Sequence, residues 1–272
     1  MKPLRDLLDE ISLPDSNGGK DARGTVLIIG GPPSCPGAVM LAGSASLRVG
    51  SGRVQLTVHP DVAAATATAV PETKVVAWDQ QSSPPPGVRE QIGRADVVVV
   101  GPGHGKLDVD VVAAIAAECK DECRLVLDAG ALGAAMRLVR AGTAVVAAPN
   151  HAEACDLVGR SGEVEELAAP LAQSLQAPTA VRGATTVVAH DGECWLFEDS
   201  PSGLGTPGSG DVFVGTLAGL LACGGDPLGA LAWAVTLHAA AGARLARTTP
   251  VGYTASDVVR ELPYARAEFE RA

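Results

Sequence analysis

Aromatic side chains are scarce in this chain: they make up 3% of its 272 residues. A core without aromatic bulk has to be filled by small and branched aliphatic residues, and hydrophobic residues still reach 47%. That mix suits helices packed closely on a parallel sheet, whose strands read as short continuous apolar runs. Basic charge is also in short supply. Against 21 Lys and Arg stand 31 Asp and Glu, for a formal net charge of -10. Such a chain repels phosphate backbones, which argues against nucleic acid as a partner. An anionic ligand has to be held locally, by backbone N–H groups or a few placed cations. No run approaches the roughly 18 charge-free apolar residues of a membrane span, so no membrane partner is expected. Met1 to Ile11 holds Arg5, Asp6, Asp9 and Glu10 and lacks the apolar centre of a secretory signal, so a cytoplasmic location is expected. The six cysteines include no Cys-x-x-Cys pair. Reduced, mostly buried thiols are the expectation, rather than disulfides or metal ligands.

What is present is a repeated strand-then-helix pattern. Apolar, β-rich runs occupy Thr25–Ile29, Val54–Val58, Lys74–Trp78, Asp96–Val100, Arg124–Leu127 and Thr143–Ala147. Ala- and Leu-rich stretches with helical spacing lie between many of them, among them Pro36–Val49, Val109–Cys119 and Ala131–Ala141. The pattern predicts an α/β fold with a mostly parallel central sheet covered on both faces. Ligands in such sheets bind at the carboxyl ends of strands. After Pro178 the pattern changes. Asp191-Gly192 between two β-rich runs predicts a tight hairpin with positive φ. Two long helical stretches, Asp211–Cys223 and Asp226–Ala246, follow, and Thr254–Ala272 reads as one or two amphipathic helices. A single domain over residues 1–272 is the expected organisation.

The strongest local signal is Gly205-Thr206-Pro207-Gly208-Ser209-Gly210-Asp211-Val212-Phe213. Glycines let the backbone approach a ligand closely, and free N–H groups at the start of the next helix can point at an anion. Asp211 falls at that start, where a carboxylate serves either as an N-terminal cap or as a functional group. Gly30-Gly31 and Gly101-Pro102-Gly103-His104-Gly105 each follow a predicted strand. Each alone is an ordinary tight connection; together with Asp211 they outline the rim of one site. Asn150 and Glu153 sit three apart at a helix start, the spacing of a capping pair. Their functional reading is Glu153 ordering Mg²⁺-bound water near transferring phosphates. Asp128 ends its strand at the same edge, and Arg182-Gly183-Ala184-Thr185-Thr186 supplies a cation and a glycine.

In chain order, six segments resemble the NAD(P)H-hydrate dehydratases of the ribokinase-like superfamily. They are Gly30-Gly31 with Pro36-Gly37-Ala38, Leu47–Gly52, Gly101–Gly105, Leu127-Asp128-Ala129, Arg182–Thr186 and Gly208–Val212. The resemblance implies a three-layer α/β/α fold, commonly a homotetramer, and use of ADP or ATP to dehydrate hydrated NADH and NADPH. It implies Asp211 as the catalytic base and as a substrate contact. It implies Arg182, Gly183, Thr185, Gly208, Ser209 and Gly210 around the nucleotide. Gly31, Ala38, Gly103, His104 and Asn150 are implied around the substrate, and Glu153 around Mg²⁺ through water. The chain departs from the family where His-Pro-Gly-Glu becomes Asn150-His151-Ala152-Glu153, where Asp-Ala-Asp becomes Asp128-Ala129-Gly130, and where a Lys-Gly pair becomes Arg182-Gly183. Two alternatives accompany the dehydratase: a small-molecule kinase, favoured by Asn150 and Glu153, and a non-catalytic nucleotide binder, favoured by the missing second aspartate at Gly130.

Overall fold

Successive residues of a strand point to opposite faces of a sheet. Val26 and Ile28 accordingly bury in one apolar layer, and Leu27 and Ile29 in the other. Both faces are therefore covered, as the continuous apolar runs predict. The computed structural model describes residues 1–270; residues 271–272, the end of the predicted domain, lie outside the described residues.

In chain order the elements are β1 (Lys2–Pro3), α1 (Leu4–Leu8), β2 (Thr25–Ile29), α2 (Gly37–Arg48), β3 (Arg53–Val58), α3 (Pro60–Ala69), β4 (Lys74–Ala77) and α4 (Pro86–Arg94). They continue through β5 (Val97–Val100), α5 (Val109–Ala117), β6 (Arg124–Leu127), α6 (Ala135–Arg140), β7 (Val145–Ala147), α7 (His151–Val158) and α8 (Val164–Leu175). The chain closes with β8 (Thr179–Arg182), β9 (Thr186–His190), β10 (Glu193–Phe197), α9 (Ser209–Ala222), α10 (Pro227–Ala246) and α11 (Ala255–Phe269).

A 10-stranded sheet runs β1-β10-β9-β8-β7-β6-β5-β2-β3-β4. Pairings are parallel from β4 across to β8, and antiparallel only for β8–β9 and β9–β10. Helices α2, α9, α10 and α11 cover one face, and α4, α5, α6 and α8 the other. This is the expected three-layer α/β/α arrangement. The β9–β10 hairpin turns at Asp191 and Gly192 with φ of 47° and 81°, the positive angles predicted for an Asp-Gly turn.

Two expectations need correction. Helix α10, at 20 residues, is long and apolar enough to cross a membrane by composition. Its apolarity has a structural cause: 72% of its most apolar window is buried inside the fold. The cysteines are less buried than expected. Cys35 is exposed and the other five are half-buried; most fall at element ends or on a helix, and Cys194 lies in β10 near the edge of the sheet.

Candidate functional site

The chain builds the sheet outward from β2 in two directions. It runs through β3 and β4 on one side, then returns to β5 on the other and continues to β6, β7 and β8. The carboxyl ends of β2 and β5 therefore flank a crevice, the usual ligand position in such sheets. Both glycine loops meet there, tied by a hydrogen bond from the Gly31 N–H to the Pro102 carbonyl at 3.0 Å. Gly103 presses on the start of α2: a Cβ there would lie 3.1 Å from the Ala38 Cβ and 2.7 Å from the Cys35 carbonyl oxygen. Gly31, Ala38 and Gly103 thus share one rim. His104, next in the loop, bonds through Nε2 to Gln80 Oε1 at 2.9 Å. Burial lowers its pKa.

The other side of the site is the first turn of α9. Gly208 holds φ +85°, a left-handed conformation that suits glycine, and the helix begins at Ser209. Asp211 is therefore the third helical residue, in the first turn rather than at the cap, and its side chain caps nothing. The capping alternative for Asp211 falls away. Arg182, at the end of β8, is fixed by donation from Nε to the Ala148 carbonyl at 2.7 Å, with its guanidinium carbon 4.6 Å from the Phe213 ring centroid. A Cβ on Gly210 would come within 3.7 Å of both Arg182 Nη atoms. The N-terminal helix turn and the guanidinium thus face the same space, a pairing that favours an anion. That space is a cavity of about 620 Å³ lined by Arg182, Gly183, Thr206, Ser209, Gly210 and Phe213.

Thr185 stands apart from this lining. Its hydroxyl donates to Glu165 Oε1 at 3.2 Å, and Thr186 faces the cavity instead. Asn150 borders the cavity and bridges to Arg182 along the backbone. Asn150 and Glu153 cap one another: the Glu153 N–H donates to Asn150 Oδ1 at 3.0 Å, and the Asn150 N–H to Glu153 Oε2 at 2.8 Å. A cavity of about 660 Å³ between α8 and the β9–β10 hairpin presents Gln173, Gln176, His190 and Asp191. It lacks the glycine turn and buried guanidinium of the first.

Electrostatically the site is short of positive charge. Asp128, Glu153 and Asp211 all act on Arg182. Burial pushes Asp128 up to about 7; Arg182 pulls it down, while Glu153 and Asp211 push it further up. Burial likewise raises Asp211 to about 6, opposed by Arg182 and assisted by Glu153. His238, bonded through Nε2 to Ser209 Oγ at 3.1 Å, is held neutral: burial, then Arg182, push it down to about 3.

Several of these residues escaped the sequence reading. Phe213 ends the strongest motif and His238 lies in a stretch that matches the family, but neither carries a role in the sequence; their contacts with Arg182, Ser209 and each other supply it. Gln80 follows a strand in a polar connector and carries no pattern at all. Asp128 was legible as a strand-end acid, but its coupling to Arg182 depends on β6 and β8 flanking β7.

Comparison with known proteins supplies the context. The family model for NAD(P)H-hydrate dehydratase matches residues 26–264. The ADP-dependent (S)-NAD(P)H-hydrate dehydratase of Xanthomonas campestris pv. campestris is 39% identical over 92% of this chain and 91% of its own length. A crystal structure of the ADP/ATP-dependent NAD(P)H-hydrate dehydratase of Bacillus subtilis, co-crystallised with ATP and Mg²⁺, superposes with a TM-score of 0.79 at 26% identity, over 94% of this chain and 93% of that one. A ribokinase-like superfamily protein from Enterococcus faecalis shares the fold with a TM-score of 0.81 at 24% identity, covering 97% of this chain and 94% of its own.

Proposed function

The chain belongs to the NAD(P)H-hydrate dehydratase family, and from that premise we propose how its residues carry the reaction. The activity is ADP-dependent dehydration of hydrated NADH and NADPH, a lyase reaction that restores the reduced dinucleotide. The observation that carries the residue assignments is the meeting of Arg182 and the first turn of α9 at one cavity, with the Asp211 carboxylate of that turn within electrostatic reach of Arg182.

Asp211 takes the proton of the ring hydroxyl as general base. Its raised pKa leaves it a better proton acceptor than an ordinary carboxylate. The hydroxyl oxygen then attacks the terminal phosphoryl group of ADP, releasing AMP. N–H groups of Gly208 and Gly210, with Arg182, stabilise the charge on the transferring group, while Ser209 holds the turn between them by donating its N–H to the Thr206 carbonyl at 3.2 Å. The phosphate ester leaves with its bonding electrons, pushed by the ring nitrogen lone pair. Loss of the neighbouring ring proton regenerates the dihydropyridine. Gly183 borders the nucleotide, and Thr185 acts through Glu165 and α8 rather than by contact. Gly31, Ala38, Gly103, His104 and Asn150 surround the hydrated dinucleotide.

Mg²⁺ fits the charge deficit, since Asp128, Glu153 and Asp211 oppose one guanidinium. Glu153, with Oε2 committed to the Asn150 N–H, would hold it through water. Bound there, the ion would neutralise charge on the phosphates. The whole chain acting as one domain, a homo-oligomeric and specifically tetrameric state, a cytoplasmic location, and the lack of nucleic-acid or membrane partners complete the proposal. The test is incubation with hydrated NADH, Mg²⁺ and ADP or ATP, following recovery of reduced-nicotinamide absorbance. A stable phosphorylated product would identify a kinase instead, and binding without turnover a non-catalytic relative.

A further inference from the structure

Gln80 has no assigned role, yet its placement is unusual. It is 4% exposed, and it holds φ 60°, a left-handed backbone that residues with a Cβ adopt rarely. Residues persist in such conformations where their surroundings over-determine them, often at ligand sites. Its side chain reaches across to the β2–β5 crevice. Nε2 donates to the Gly30 carbonyl at 2.8 Å and lies 3.4 Å from the Trp78 carbonyl oxygen. Only the nitrogen end of the amide can donate to carbonyls, so the end facing His104 is the oxygen. That oxygen lies 2.9 Å from His104 Nε2. Since it only accepts, His104 Nε2 carries the hydrogen.

His104 is neutral, because burial disfavours its charged form. A neutral imidazole protonated at Nε2 has a bare lone pair at Nδ1. Among the described residues no side-chain hydrogen bond reaches that atom, and it is not among the buried unpaired atoms. It therefore keeps solvent access, and His104 lines a cavity of about 490 Å³ with Pro32, His59 and Lys106. A lone pair there accepts N–H or O–H hydrogens and repels phosphate oxygens.

We propose that Gln80 is a positioning residue that holds His104 in its Nε2–H tautomer, so that His104 Nδ1 accepts a hydrogen bond from a neutral N–H or O–H donor of the hydrated dinucleotide. The proposal rests on the reading that the crevice receives that dinucleotide. It separates the roles of the two rims: α9 and Arg182 attract charge, whereas His104 selects a neutral donor. The ring carboxamide and a ribose hydroxyl both have the required chemistry. The hydrated 3-acetylpyridine analogue, which lacks the amide hydrogens, distinguishes them: weaker dependence on His104 points to the carboxamide, unchanged dependence to the ribose.

The direct test is nitrogen NMR of the whole protein labelled at histidine, with His104 assigned from the spectrum of His104→Leu. At neutral pH His104 should show the neutral Nε2–H pattern, and its Nδ1 resonance should move on addition of hydrated NADPH without ADP, so that nothing turns over. In Gln80→Met the tautomers should mix. The KM for hydrated NADPH should rise about tenfold, the loss expected for one neutral hydrogen bond, while kcat and the KM for ADP stay within about twofold. His104→Leu should produce a similar rise, and adding Gln80→Met to it should change little further, as expected for residues acting as one unit. A charged or Nδ1–H His104 in the wild type, or an Nδ1 resonance unmoved by hydrated NADPH, overturns the proposal; both readings hold even if Gln80→Met fails to fold. Wild-type protein that binds hydrated NADPH at His104 but never dehydrates it would refute the activity and leave this inference standing.

Discussion

Replacing Asp211 with Asn separates chemistry from architecture because the carboxylate has no capping duty to lose. Helix α9 is capped at Gly208, and no capping hydrogen bond involves the Asp211 side chain. The loss of about 0.5–2 kcal/mol that follows removal of a true cap is therefore not expected. The opposite is. Burial raises the Asp211 pKa from its ordinary 3.8 to about 6. A carboxyl whose folded-state pKa lies above its unfolded value contributes its full stability below about pH 4, and that contribution is lost as pH rises through about 6. The rise from 3.8 to about 6 corresponds to a ceiling of roughly 3 kcal/mol. Asn does not titrate, so Asp211→Asn should match or exceed wild-type stability at pH 8, by at most that amount. The advantage should shrink towards pH 4. Turnover should nevertheless fall by on the order of a hundredfold or more, since Asn accepts no proton. Denaturant unfolding at pH 4 and pH 8, nucleotide affinity and dehydration of hydrated NADH, all on one preparation, make the comparison. Near-wild-type turnover in the folded variant would remove Asp211 from the mechanism, and a variant markedly less stable at pH 8 would refute the electrostatic account.

Other consequences can be checked as directly. Gly210→Val should keep its native far-ultraviolet circular dichroism, because a Cβ there meets Arg182 only at an ordinary 3.7 Å, yet lose ADP and ATP binding by filling the space beside the guanidinium; isothermal titration calorimetry reads the loss. Asp128→Asn should gain stability relative to wild type as pH rises from 5 to 8, because burial holds the Asp128 pKa near 7 and its contribution is lost above that; melting temperatures across that range, with no widening difference, would contradict it. Light scattering at micromolar concentration should give a multiple of 27.4 kDa, and a monomer mass would remove the homo-oligomer from the proposal.

The strand-and-helix skeleton was legible because a sheet buried on both faces leaves an uninterrupted apolar signature. Thr25–Ile29 and Arg124–Leu127 form strands with the predicted bounds. β8 (Thr179–Arg182) was not legible because Pro178 and Gly183 close on it and mark it as a connector, and edge β1 (Lys2–Pro3) because two residues carry no period. Within the site, the glycine turns and Asp211 could be read because they are chemical punctuation in the chain. Asp211 was placed at the helix start, whereas the cap is Gly208 and the carboxylate is the third residue of the first turn. Residues defined by contact stayed hidden. His238 joins the site through Ser209 and Phe213, Phe213 through Arg182, and Gln80 by reaching Gly30 and His104.

The departures that favoured other readings acquire structural causes once the packing is known. Asn150 and Glu153 suggested a kinase, but the pair also forms a reciprocal cap, which any helix start can demand, so its presence alone does not mark one. The missing second aspartate at Gly130 suggested a lost catalytic group. In the fold, a Cβ at position 130 would lie 2.8 Å from both the His104 Cβ and the His104 carbonyl oxygen, and 2.9 Å from the Lys106 nitrogen. The Gly130 N–H donates to that same His104 carbonyl at 2.9 Å, and the Leu107 N–H donates back to Gly130 at 3.0 Å. The His104 loop thus lies flat against the end of β6, where a side chain would force it away. Glycine at 130 lets the His104 loop lie where His104 meets Gln80, so this departure bears on the β2–β5 rim and not on the Asp211–Arg182 side of the site.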